Sequence, residues 1–126
     1  MLSTKEIKNT MGGRLVGNDL MRGWVSKAIS LLPEEIARPI INDVWFFSSD
    51  YDSYGYAFNG NDLKDKHLIF LSDALFKESE NQIMYTILHE IGHIVLKHKN
   101  SIHYQQSKAE IRKQESETDQ FAKKYL

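Results

Sequence analysis

The 126-residue sequence contains no cysteine. That excludes a disulfide scaffold, a thiolate zinc finger, an iron–sulfur centre and a cysteine nucleophile, and it accords with a reducing compartment. Proline and glycine are sparse, at 2 and 7 residues, which excludes collagen-like repeats and a low-complexity linker. Neither sign of charge dominates. Lys+Arg number 16 and Asp+Glu 17, for a net charge of −1, and the pI is near 6.5. Such a chain presents no general field to nucleic acid or to anionic lipid, so direct nucleic-acid binding is not expected. Apolar runs are far shorter than the ~20 residues a membrane span needs. The first residues, MLSTKEIKNTMGG, lack the apolar stretch of a signal peptide. A cytoplasmic, single-domain protein over residues 1–126 is the expectation, and with 41% hydrophobic residues it can bury a core of its own.

Residues 1–18 read as weakly ordered, because Gly12, Gly13 and Gly17 interrupt any helix. From Asn18 or Asp19, Leu20, Trp24, Ala28 and Leu31 recur at helical spacing until Pro33. Pro33 suits the first turn of a short helix through Glu34, Glu35 and Ile36, which Pro39 ends. Three strands follow. They are Val44–Phe47, Tyr54–Phe58 and His67–Leu71, the last two separated by the turn signal Asn59-Gly60-Asn61-Asp62. Two helices close the chain, each opened by a capping box, Ser79 with Gln82 and Ser107 with Glu110. Residues 98–106 between them read as a loop. The order of elements predicts an α+β fold with a small, three-stranded, largely antiparallel sheet.

Within the first of these closing helices lies His89-Glu90-Ile91-Gly92-His93, an H-E-x-x-H sequence. Histidines at i and i+4 stand one turn apart on one helix face, so both imidazoles can reach a single metal ion. Glu90 lies about 100° round the helix, where it can contact water at that metal without ligating it. The apolar residues Ile83, Met84, Ile87, Leu88, Ile91, Ile94 and Val95 fall about 120° to 260° from His89. They form the packing stripe, and the two histidines lie opposite it. Zn²⁺, one per chain, is the expected cofactor.

A catalytic zinc takes three protein ligands and keeps one position open. Leu96 and Lys99 stand where an extended metzincin pattern needs Gly and His, and no cysteine is present for a deformylase-type site. On a continued helix His98 falls about 180° from His89, away from the metal. An acidic ligand from the last helix remains, with Glu110, Glu115, Glu117 and Asp119 as candidates. On the wheel Glu117 and Glu110 border the apolar side, whereas Glu115 and Asp119 turn toward Lys108, Arg112 and Lys123. That favours Glu117, with Glu110 its rival.

The H-E-x-x-H helix followed by Glu115-Ser116-Glu117-Thr118-Asp119-Gln120-Phe121-Ala122 resembles the ImmA/IrrE metallopeptidases, whose pattern is H-E-x-G-H and then E-x-E-A-[ND]-x-F-A. The similarity covers residues 44–122 and is strongest over 67–122. Thr118 departs from it, standing where the family usually has Ala. The resemblance implies a zincin-like domain. It also implies that Glu117, the second Glu of the later motif, is the third zinc ligand beside His89 and His93. Glu90 is then the general base of peptide-bond hydrolysis. Tyr85, His103 and Tyr104 are candidates to stabilise the oxyanion. The expected partner is a protein or peptide substrate, added as an extended strand to the edge of the third strand. The resemblance alone implies a helix-turn-helix transcriptional repressor as that substrate. The alternative is a metal-binding regulatory or interaction domain without turnover.

Overall fold

The computed structural model describes residues 1–49, 55–58, 67–98 and 107–126. The turn expected at 59–62 and most of the loop expected at 98–106 lie outside them. Five α-helices and four strands are described: α1 Thr4–Met11, β1 Leu15–Val16, α2 Asp19–Ser30, α3 Glu34–Asp43, β2 Val44–Ser49, β3 Gly55–Phe58, β4 His67–Ser72, α4 Glu80–Val95 and α5 Lys108–Tyr125. The fold is α+β, as the order of elements predicts.

The first 18 residues are structured, contrary to expectation. The Ser3 hydroxyl accepts from the Glu6 N–H and starts α1, which buries Ile7 and Met11. Gly12, at φ 51°, terminates the helix rather than preventing it. Two arginines then tie the segment down. Arg14 donates to the Val44 carbonyl at 3.2 Å and to that of Ile41, and Arg22 donates to the Leu15 carbonyl at 2.8 Å. These cations bond carbonyls at the end of α3, the start of β2 and in β1, and so fix the segment against them. Nor does Pro39 end its helix. α3 runs through it to Asp43, and burial of Ala37, Ile40 and Ile41 offsets the backbone bond that proline cannot make.

The sheet differs from expectation in strand number and direction. Its order is β1-β2-β4-β3. β1 pairs with β2 in parallel, β2 with β4 in parallel, and only β3 with β4 is antiparallel. The helical crossover α2–α3 between β1 and β2 allows the parallel pairing, as a tight turn could not. β3 then skips one place, and β4 returns between it and β2. The consequence for substrate is direct. The strand expected to offer a free edge, β4, is paired on both sides, and β3 is the outer strand, packed near α4.

Alternation along the strands sends Val44, Phe46, Ile69, Leu71 and Ala57 into the core. Trp45, Phe47 and Phe70 stack on the other face, with ring centroids 6.0 and 5.2 Å apart. α4 lies against the inner face and against α2, burying Ile83, Ile87, Leu88, Ile91 and Ile94. Its opposite side is covered by α5.

Candidate active site

The helix that carries His89, Glu90 and His93 begins where Ser79 accepts from the Gln82 N–H at 3.2 Å. Its apolar stripe faces the sheet, as the wheel predicts, so the histidines must point away. Away from the sheet is not into solvent. α5 crosses this side, leaving the two imidazoles 15% and 14% exposed. Gly92 makes the crossing possible. A Cβ placed there would sit 3.0 Å from the Phe121 ring and 3.3 Å from the Thr118 methyl. Gly92→Val is therefore expected to force α5 outward and to destabilise the protein by about 1–3 kcal/mol. Thermal denaturation of the metal-free protein measures that loss, and an unchanged Tm would mean the helices can part freely.

The two histidine Nε2 atoms converge on one carboxylate. His89 Nε2 is 2.8 Å from Glu115 Oε2, and His93 Nε2 is 3.5 Å from Glu115 Oε1. One ligand-type atom from each of the three residues lies within 4.8 Å of the others. Two imidazole nitrogens and a carboxylate at these separations suit a cation with ligand bonds near ~2 Å. Burial holds the His93 imidazolium back, bringing its pKa down to about 4, so that histidine presents the neutral form that ligates.

Glu117, the carboxylate favoured by the sequence, is elsewhere. Its Oε1 lies 3.3 Å from His98 Nε2. The reason is in the seam between α4 and α5. Thr118, Phe121 and Ala122 are the buried centre of α5. Around that centre Glu115 and Glu117 sit on opposite flanks, each roughly 70–90° away. The wheel therefore cannot choose between them. Ile111, an apolar residue on the Glu117 side of the wheel, is 44% exposed and marks no inner face. The last rival, Glu110, is occupied as the capping-box partner of Ser107.

His98 is the residue that sequence reasoning placed wrongly. The wheel assumes that α4 continues, but it ends at Val95. The Lys97 N–H bonds to the Ile94 carbonyl at 3.1 Å and the His98 N–H to that of His93 at 3.0 Å, with Lys97 at φ 56°. This is a Schellman ending with a lysine in the left-handed position usually taken by glycine. No glycine signals it. It turns His98 back, so that His98 Nδ1 lies 3.0 Å from His93 Nδ1.

Glu90 is buried, 8% exposed. Burial first, and the charge of Glu115 second, push its pKa up to about 8. Thr118 is fully buried. Its hydroxyl lies 3.0 Å from the Gln114 and Glu115 carbonyls and 3.3 Å from His89 Nε2. Tyr85 stands one turn before His89, with ring centroids 5.7 Å apart. Its hydroxyl donates to Asp119 Oδ1 at 2.5 Å, and Asp119 also pairs with Lys123 at 3.0 Å. Burial and that carboxylate hold the phenol's proton, with its pKa raised to about 12. The other two oxyanion candidates, His103 and Tyr104, lie outside the described residues.

A buried carboxyl beside two histidines and a half-exposed carboxylate is the equipment of a hydrolase, and comparison with known families places the chain in a peptidase family. A family model described as Peptidase U49 matches residues 64–126, half of the chain and the half that holds the whole cluster. The chain belongs to the Peptidase U49 family. The likeness to ImmA/IrrE peptidases thus agrees with this assignment at the level of peptidase. Comparison with curated proteins and with solved structures gives no match. Among the described residues no helix is long and apolar enough to cross a membrane.

Proposed function

We propose that the chain is a metal-dependent peptidase in which His89, His93 and Glu115 hold one divalent ion, zinc in the first instance. The observation that carries this is the convergence of both Nε2 atoms on the two oxygens of Glu115. Membership in a peptidase family supplies the reaction class. A divalent ion there supplies Lewis acidity, which activates water near neutral pH and polarises a carbonyl.

Everything else falls to the chain. Glu90, next to His89 and not part of the three-residue cluster, takes the proton of the attacking water and delivers it to the leaving amine. The packing of α5 on α4 keeps Glu115 facing His89 and His93. An extended peptide adds along β3, the outer strand beside α4, through main-chain hydrogen bonds. A helix-turn-helix repressor as the cleaved protein rests on the resemblance to ImmA/IrrE peptidases alone.

The purified protein is expected to bind about one Zn²⁺ per chain, displaceable by a chelator and restored by added zinc. Metal analysis with reconstitution measures this. No binding after zinc is added back would overturn the metal reading.

A further inference from the structure

We propose that His98 and Glu117 are positioning residues for His93, arranged as a hydrogen-bond relay that selects the tautomer able to bind metal. The inference rests on the reading of His93 Nε2 as a ligand atom and extends it outward.

His93 Nδ1 and His98 Nδ1 are 3.0 Å apart. Two imidazole nitrogens at that distance share one proton, which sits on one of them. A ligating Nε2 must present its lone pair, so neutral His93 carries its proton on Nδ1 and donates it to His98 Nδ1. His98 then accepts at Nδ1 and, being neutral, carries its own proton on Nε2. That nitrogen faces Glu117 Oε1 at 3.3 Å. The contact is within ion-pair range, and the Glu117 side chain is 44% exposed.

The opposite assignment is disfavoured. With the proton on His98 Nδ1, its Nε2 lone pair would face the Glu117 carboxylate across the same 3.3 Å. Glu117 therefore biases His98, and through it His93, toward the state in which His93 Nε2 is bare. A second carbonyl or carboxylate behind a ligating histidine fixes its ring and tautomer in this way, and its loss typically costs 10–100-fold in metal affinity.

Two further observations fit a built arrangement. The His98 side chain is 8% exposed, so bulk water does not readily replace it. Its place opposite His93 depends on a left-handed lysine at position 97, a backbone state that non-glycine residues adopt only at some cost.

The test compares His98→Leu, His98→Gln and Glu117→Leu with wild type, using zinc affinity by chelator competition and proton NMR of the ring N–H groups. His98→Leu and Glu117→Leu are expected to weaken zinc binding, the former by 10–100-fold. His98→Gln can accept with its carbonyl and donate with its amide, so it is expected to stay within a few-fold of wild type. Zinc-loaded wild type is expected to show a slowly exchanging His93 Nδ1–H, kept in His98→Gln and lost to rapid exchange in His98→Leu. Equal losses in His98→Leu and His98→Gln would mean a packing role and would overturn the relay. So would wild-type affinity in all three variants, with the metal reading left standing. Failure of wild type to bind zinc at all would bring down the underlying reading and the relay with it.

Discussion

Glu115→Gln is expected to lower zinc affinity by at least two orders of magnitude, about 3 kcal/mol or more. A structural zinc site is worth about 10–16 kcal/mol in total, so one of three protein ligands carries a share of that size. Glu117→Gln, two residues on, is expected to lose roughly tenfold or less, because its carboxylate meets His98 and not the histidine pair. Chelator competition on the two variants decides the matter. Should Glu117→Gln prove the more damaging, the sequence-based choice of ligand would be right. The placement of Glu115 between His89 and His93 would then belong to the metal-free protein only.

Glu90→Gln is expected to keep the metal and lose the reaction. Its amide cannot accept a proton, so cleavage should fall by about 10²–10⁴-fold while zinc content stays near that of wild type. His89→Ala should lose both. Substrate cleavage with parallel metal analysis separates the two, and full activity in Glu90→Gln would exclude Glu90 as the base. A wild type that binds zinc and a partner yet never cuts it would favour the regulatory reading.

The same variant makes a prediction for the metal-free protein. The folded-state pKa of Glu90 is raised to about 8, against 4.5 for a carboxyl free in water. The native state thus holds its proton more tightly than the unfolded chain. The contribution of Glu90 to stability is fully present below pH 4.5 and is lost as pH rises through about 8. Glu90→Gln has no such proton to lose. Its stability relative to wild type should grow by up to about 1.4 kcal/mol per pH unit across that window and level off above it. Urea denaturation of the two metal-free proteins between pH 4 and 9 measures this. A constant difference across the range would mean that Glu90 ionises without penalty in the fold.

How much of this was legible in the sequence depends on the range of each interaction. The placement of His89, Glu90 and His93 relative to one another is intrahelical geometry. The 3.6-residue repeat sets it, and the apolar stripe on the opposite face fixes which way the helix turns. The starts of α4 and α5 were legible too, because Ser79 and Ser107 act on backbone groups three residues away. The strands at β2 and β3 were legible as well, whereas the segments that become α1 and β1 were not. β1 is only two residues long, and Arg14 and Arg22 stabilise its surroundings through carbonyls up to 30 residues distant. A strand's partner is likewise invisible in its own residues, and so the parallel pairing of β2 with β4 could not be read from either.

What the sequence by itself determined is therefore the histidine pair, the adjacent carboxyl and the two closing helices, since each depends on neighbours within about one or two turns. The tertiary structure alone decided which carboxylate meets the pair. Glu115 and Glu117 flank the same buried seam of α5, and only the crossing of α5 over Gly92 puts one of them at the histidines. It also decided the fate of His98, which a left-handed Lys97 turns back toward His93. A helical wheel carries angles about one axis, whereas both of these outcomes depend on where that axis ends and on how a second axis lies across it.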